Sequence, residues 1–474
     1  MHFRAVRTLA VLSVAAAALL ALTVGGATAT SAAAKQYVVI GNGSKLPAGL
    51  AKGIERAGGS LDVAIEGAGV AVATSSSPGF ERAVESLTGV ESVTRSVARQ
   101  YLSPVEAIEG PSVEFGNPPT SGDDDFFFDL QWGHDAVDAP EAWNMGYRGA
   151  GATVAVLDNG FDLTHPDLAG QFLPASTSFV PGEPLQWADM SDPFSHGTHT
   201  AGTVAAADNA FGTIGVAPLA ELLLIKVLPD AGCGGEGPIL EGIAYAADNG
   251  ADVINMSLGA PLSKRGYLET GCDPTDVDDV WVSANEVAEI RKAYQRVVHY
   301  ANSKGTTVIA SAGNDASDAD HTADLIHLPS DAPGVLSISA TAPIGWATDP
   351  SNAFLDYPTF YTNYGQSAID FAAPGGSVEY PGNENCTVAG LTRPCWVFDL
   401  VFSTGAGSWY WSAGTSMAAP HASGVAAIII GKNGGDMSPA AVERALRASA
   451  DDLGKPGNDD FYGAGRVNAA NAVG

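Results

Sequence analysis

The sequence predicts an α/β protein: a mostly parallel sheet flanked by helices on both faces, preceded by a small α+β unit. Three observations carry that expectation. From about residue 126, β-branched apolar runs alternate with segments of helical periodicity, and repeated βα units build a parallel sheet covered on both sides. Before residue 104 the order differs, with short strands and short helices in a compact α+β pattern. Charge shifts at the same place. Residues 1–120 hold nine basic and nine acidic side chains, whereas 121–474 hold 14 basic against 44 acidic.

Taken in order, residues 1–29 read as a secretory signal. Arg4 and Arg7 give a positive start, residues 9–24 are small or apolar, and Ala27-Thr28-Ala29 offers a cleavage site. The apolar run is shorter than the roughly 20 residues a membrane span needs. The chain is therefore expected to be secreted and extracellular, with no membrane contact after signal removal. The α+β unit occupies 30–104. It has a strand at 36–40, a helix at 47–58 ending at a Gly pair, strand-like alternation over 63–74, a helix at 78–87 and a closing strand at 90–97. Residues 105–125, rich in Pro, Gly, Ser and Asp, read as a linker.

The third part, 126–474, holds the βα units. Strands are expected at 152–157, 222–227, 253–258, 307–311 and 335–340. Residues 199–207 are small and apolar and suit a buried helix, and 239–248 is a helix stopped by Gly250. The helix at 283–303 sets Val287, Ile290, Tyr294, Val297 and Ala301 on one stripe. Two helices, 417–431 and 438–450, close the chain, and 260–285 and 377–410 read as insertions. Ligands of such sheets bind at the carboxyl ends of the strands.

With 474 residues, 46 % of them hydrophobic, the chain has material for a large core and two or three domains. Its 23 Lys and Arg against 53 Asp and Glu leave a net charge of −30. Nucleic acid and anionic membrane are excluded as main partners, because phosphate binding needs clustered cations. The four cysteines suggest two disulfides in an exported chain, with three possible connectivities. Cys386–Cys395 closes a short loop and is favoured, which leaves Cys233–Cys272. No C-x-x-C pair is present, so a thiolate zinc site is not expected.

Three segments place reactive side chains at strand ends or helix starts. In Val154-Ala155-Val156-Leu157-Asp158-Asn159-Gly160 an apolar strand ends in a carboxylate. Ser195-His196-Gly197-Thr198-His199-Thr200-Ala201-Gly202 puts a histidine at the start of a small-residue helix. Gly414-Thr415-Ser416-Met417-Ala418-Ala419-Pro420-His421 puts a serine beside the free N–H groups of a helix N-terminus. Each alone has a plainer explanation: an Asp-Asn-Gly turn, a packed or capping histidine, an N-cap serine. The H-E-x-x-H spacing of zinc peptidases is absent. Together, Asp, His and Ser occur in the chain order of one known type of Ser-His-Asp triad.

On these motifs, D-x-G, H-G-T-H-x-A-G and G-T-S-M-A-x-P-H, the chain resembles the subtilisin-like serine proteases from about Phe126 to Gly474. The resemblance implies a secreted serine endopeptidase acting on polypeptides, with Ser416 as nucleophile, His196 as general base and then acid, and Asp158 orienting the imidazole. It places Asn314, in Ala310-Ser311-Ala312-Gly313-Asn314, in the oxyanion hole with the Ser416 N–H. Ser257, Leu258 and Gly259 would pair with substrate backbone on one side, Gly232 and Gly234 on the other, with Ala312 and Gly313 walling a pocket near His327. Asn159 departs from the family, which usually has Ser or Thr there; its amide is expected to donate a hydrogen bond near the carboxylate instead. His199 and His421 fall on packing positions. Asp167 and Asn209 match positions that bind a structural Ca²⁺; no catalytic cofactor is implied. Asp315, Asp318, Asp320 and Asp324 crowd the adjacent loop; a basic substrate residue is one reading of them, and a solvated acidic loop is the favoured one. The 30–104 unit resembles the propeptide that inhibits such enzymes until it is cleaved, and a monomer is expected. The competing class is a catalytically silent secreted binding protein on the same scaffold; an esterase is the rival enzyme.

Overall fold

The computed structural model describes residues 34–102, 107–111, 122–188, 194–270, 272, 280–322 and 324–474. The signal at 1–29 and parts of the linker lie outside the described residues.

The N-terminal unit is a four-stranded antiparallel sheet in the order Gly59–Ile65, Val70–Ser75, Lys35–Gly41, Val90–Ser96, with helices Leu50–Arg56 and Phe80–Glu85. The alternation over 63–74 is thus a hairpin rather than a single strand. Gly69, at φ +66°, turns the chain there and sits against main-chain atoms of residues 43–45. A side chain at that point would meet backbone.

The large unit centres on an eight-stranded sheet. From edge to edge it runs Tyr357–Pro358, Val335–Ala342, Thr307–Ser311, Val253–Met256, Thr153–Asp158, Glu221–Lys226 and Thr177–Ser178, with Phe371–Pro374 also on Val335–Ala342. All pairings are parallel except that of Tyr357–Pro358. Side chains of a strand alternate between faces. Val154 and Val156 accordingly pack with helices His196–Ala205 and Thr415–Lys432, while Ala155 and Leu157 pack with Glu236–Asp248 and Ala284–Lys304. The α/β class with helices on both faces is therefore the observed one.

Helix Ala284–Lys304 starts at a capping box, Ser283 with Glu286, and stops at Gly305 in the left-handed region (φ 104°). Helix His196–Ala205 is buried along its whole length, which its small residues allow: a Cβ on Gly202 would strike Thr404. A third short helix, Ala469–Val473, follows the two expected at the end. The linker is not uniformly irregular. Ala107–Glu109 adds a third strand to the hairpin Val401–Gly405 and Ser408–Ser412. Both expected disulfides are present, Cys233–Cys272 and Cys386–Cys395.

The N-terminal sheet lies against the helices Glu236–Asp248 and Ala284–Lys304. Val38, Ile40, Ile65 and Val70 share one apolar cluster with Ile239, Ile243 and Val297. Around it Arg95 pairs with Glu286 at 2.9 Å and Lys292 with Glu91 at 3.0 Å.

Candidate active site

Asp158 ends the strand Thr153–Asp158, so the sheet delivers its carboxylate to the carboxyl edge where loops converge. The residue is fully buried, and a buried charge must be paired and hydrogen-bonded. Oδ1 accepts from the Asn159 N–H at 2.8 Å and Oδ2 from the Thr200 hydroxyl at 3.1 Å. The two oxygens lie 2.9 and 3.0 Å from Nδ1 of His196. With Nδ1 donating to that carboxylate, Nε2 of the neutral ring is the basic nitrogen. His196 is held at the helix start by the N-cap Ser195, which accepts from the Thr198 N–H at 3.1 Å.

Ser416 is the second residue of helix Thr415–Lys432, which packs beside His196–Ala205. Its Oγ donates to the Ser257 carbonyl at 3.2 Å, and its own carbonyl accepts from the Ser257 hydroxyl at 2.7 Å. Asn314 follows the neighbouring strand Thr307–Ser311. Its Oδ1 accepts both the N–H and the hydroxyl of Thr415, at 2.9 and 2.8 Å. A main-chain N–H can only donate, so the amide orientation is fixed and the NH₂ end remains as a donor.

The segments expected to flank a substrate are both engaged by the N-terminal unit's own tail. Arg99–Gln100 pairs antiparallel with Cys233–Gly234. The Tyr101 N–H donates to the Gly232 carbonyl and the Gly259 N–H donates to the Tyr101 carbonyl, each at 3.0 Å. Gly232, at φ +74°, faces the Cβ of Leu102. Leu258 is buried behind this strand. Ala312 and Gly313 lie beside His327, whose buried ring is packed against both Gly259 and Gly313.

With this geometry in place the comparisons with known proteins are specific. The family model described as the Subtilase family matches residues 149–465. The chain belongs to the subtilase family. Subtilisin Savinase of Lederbergia lenta is 34 % identical over 346 residues, 73 % of this chain and 98 % of that protein. M-protease of Shouchella clausii (strain KSM-K16) is 34 % identical over the same share of this chain and 70 % of its own length. Among solved structures, the Epidermin Leader Peptide Processing Serine Protease of Staphylococcus aureus superposes with a TM-score of 0.69, covering 93 % of this chain and 98 % of that one. At 21 % identity that likeness shows the fold alone. A structure titled as a lanthipeptide protease gives a TM-score of 0.57 at 28 % identity, covering 76 % of this chain and 99 % of that one. As a subtilase, this protein is a serine-type endopeptidase.

One expectation about this subtilase needs correction. Asn159 does not turn its amide to the carboxylate. Its Nδ2 donates to the Asp230 carbonyl at 3.0 Å and its Oδ1 accepts from the Gly197 N–H at 3.1 Å. The side-chain hydroxyl at Asp158 comes instead from Thr200, one helical turn past His196, where i and i+4 share a face. Of the two residues expected to bind Ca²⁺, Asp167 is buried and Asn209 exposed. Oδ2 of Asp167 accepts from the Thr213 N–H and hydroxyl, at 2.8 and 3.1 Å, and from the Trp409 indole N–H at 2.7 Å. Oδ1 of Asp167 is buried and has no hydrogen-bond partner. Four further carboxylates, Asp123, Asp124, Asp125 and Asp208, converge within 4.8 Å of one another. Arg148 pairs with Asp208 and reaches Asp123 at 3.6 Å.

His199 and His421 are structural. Burial pushes His199 down to about 3 and His421 down to about 4, so both rings are neutral. Each holds a main-chain carbonyl, that of Tyr410 at 3.0 Å and that of Met417 at 2.7 Å. In the acidic loop, Asp320 accepts main-chain N–H groups of residues 366 and 367 and Asp318 pairs with His321, so the loop is held by its own carboxylates.

Proposed function

We propose that this subtilase is secreted, that Ser416 is its nucleophile, and that the N-terminal unit is a leader that blocks the cleft until cleaved. The observation that supports the catalytic assignment best is the pair of contacts from Asp158 to Nδ1 of His196. They fix the tautomer that a general base needs.

In the proposed reaction Oγ of Ser416 turns from Ser257 toward His196 and attacks a peptide carbonyl carbon. Its proton passes to Nε2 of His196 as the O–C bond forms. The resulting oxyanion is stabilised by the NH₂ of Asn314 and the N–H of Ser416. Collapse breaks the C–N bond, and the proton on His196 goes to the leaving amine. Water then hydrolyses the acyl-serine by the same route, returning the proton to Ser416. Asp158 stabilises the imidazolium without taking its proton.

The substrate runs as an added strand between Gly232–Gly234 and Ser257–Gly259, with its backbone supplying the hydrogen bonds. The tail at residues 99–102 lies along that path, which supports inhibition by the unit at 30–104 and cleavage in the linker before the peptidase domain at 126–474. Among the described residues no helix is long and apolar enough to cross a membrane. No step uses a cofactor of the chain.

Labelling with a fluorophosphonate and N-terminal sequencing of secreted protein, wild type beside Ser416→Ala, test the proposal. The wild type is expected to be labelled on Ser416 and to lose the leader, and the variant to do neither. A Ser416→Ala protein that still matures alone would overturn self-processing, and an unlabelled wild type would overturn the nucleophile.

A further inference from the structure

We propose that Glu236 and Glu269 form an acidic subsite that selects arginine in the substrate, a few residues before the scissile bond. The proposal rests on the peptidase assignment above and specifies which polypeptides the cleft takes.

The leader's tail shows what the subsite holds. Arg99 is only 2 % exposed although it sits on a two-residue strand at the rim of the sheet. Its guanidinium makes an ion pair with Glu236, whose side chain is fully buried, and its Nε lies 3.7 Å from Glu269. Both carboxylates belong to the peptidase domain, not to the leader. Glu236 is the first residue of helix Glu236–Asp248, separated from the rail Cys233–Gly234 only by Gly235. Glu269 ends the strand Gly266–Glu269 in the 260–285 insertion. The disulfide Cys233–Cys272 ties that insertion to the rail. The buried hydroxyls of Tyr267 and Tyr294 complete the setting around the two glutamates.

Two physical points turn a docking contact into a specificity argument. First, Arg99 reaches the acids from a backbone paired residue for residue with Cys233–Gly234. Any peptide that adds a strand to this rail places a side chain at the same point, because main-chain bonds set the register and pockets read the side chains. Second, among the described residues Arg99 is the only cation paired with either glutamate. When the tail leaves, the side-chain hydroxyl of Ser96, which donates to Glu236 at 2.8 Å, leaves with it. Two carboxylates then remain without their paired cation, and a carboxylate that loses its counter-charge favours a new one. An arginine offers a planar fork that can serve two carboxylates at once, which the point charge of lysine does not match.

The test is a positional scan with internally quenched peptides cut by the mature enzyme. Arg, Lys, Gln, Leu and Glu are placed in turn at each of the positions upstream of the cleaved bond. At one position kcat/KM for Arg is expected to exceed that for Leu by at least ~30-fold, with Lys between them, the scale of a buried charge pair. Glu236→Gln and Glu269→Gln, tested separately so that one folding failure does not decide the matter, are each expected to collapse that ratio. Cleavage without an arginine preference at any position, or a preference that survives both substitutions, overturns the subsite alone. No cleavage of any peptide overturns the peptidase assignment and the subsite with it.

Discussion

Ser257 donates its hydroxyl to the main-chain carbonyl of Ser416 across 2.7 Å. The need for that bond is written into the helix. In an α-helix the carbonyl of residue i accepts from the N–H of residue i+4. Four residues after Ser416 stands Pro420, which has no N–H. Ser257 replaces the missing donor, and Ser416 returns a bond from Oγ to the Ser257 carbonyl. Behind them Asn255 donates to the Ser257 hydroxyl, and Ser423 donates to Asn255, both at 3.0 Å. The proposed substrate rail and the helix start that carries Ser416 are thereby one hydrogen-bonded unit.

Ser257→Ala leaves the buried Ser416 carbonyl without a donor, at a cost of about 1–3 kcal/mol. Denaturant unfolding should show that loss. Steady-state kinetics should show kcat falling more than KM rises, because the helix start is displaced while the main-chain rail is retained. Unchanged stability and kcat together would mean that the bond has no positioning role.

Asn314 is fixed by Thr415, so its free amide is preorganised rather than flexible. Removing such a donor costs ~10²–10³ in turnover, a value known from subtilisin itself, a relative of this chain. Asn314→Ala should lower kcat by that order with little change in KM. A loss confined to KM would place Asn314 in ground-state binding instead.

The fold was legible where the sequence is periodic. The stripe of Val287, Ile290, Tyr294, Val297 and Ala301 places a helix that the structure begins one residue later, at Ala284. Asp158, His196 and Ser416 could be read because each sits at a strand end or helix start with a distinctive flank. Thr200, Asn255 and Ser423 could not, since a buried polar residue on a small-residue helix or apolar strand looks like packing until its partner is known. The hairpin at 59–75 was missed because Glu66-Gly67-Ala68-Gly69 interrupts the alternation without Pro or Asn-Gly. Glu236 and Glu269 lie 33 positions apart in the sequence, with nothing local to join them.

Glu241 is expected to make docking of the proposed leader sensitive to pH. It lies on helix Glu236–Asp248, under the N-terminal sheet, and burial, then the Asp62 carboxylate of the leader, push its carboxyl up to about 7. Without the leader the Asp62 charge and the leader's share of the burial are removed, and the value is expected to fall back toward the ordinary 4.5. The docked state thus keeps a proton that the separated state gives up as pH rises above the lower value. Docking is strongest at acidic pH and weakens as pH climbs through about 7. For a half-buried, partly screened group the loss between pH 5 and pH 8 should be about tenfold in affinity. Dissociation of the cleaved leader, followed by size exclusion at both pH values, measures it. Glu241→Gln should flatten the dependence, and tighter docking at pH 8 in the wild type would contradict the sign.

The two disulfides should differ in what they stabilise. Cys233 and Cys272 are 39 residues apart, Cys386 and Cys395 only nine. In the chain-entropy account a longer loop restricts the unfolded chain more, by about 4 kcal/mol for the first and about 2.5 kcal/mol for the second. Cys233→Ser with Cys272→Ser should therefore lower Tm further than Cys386→Ser with Cys395→Ser. It should also raise KM for peptides, because Cys233 lies in the rail and Cys272 follows the strand that carries Glu269. The Cys386–Cys395 bridge closes the hairpin Asn385–Val388 and Leu391–Pro394, so its loss should leave KM unchanged. Calorimetry and peptide kinetics on the two double variants check both halves. Equal KM values in the two would show that the long bridge supports folding without shaping the cleft.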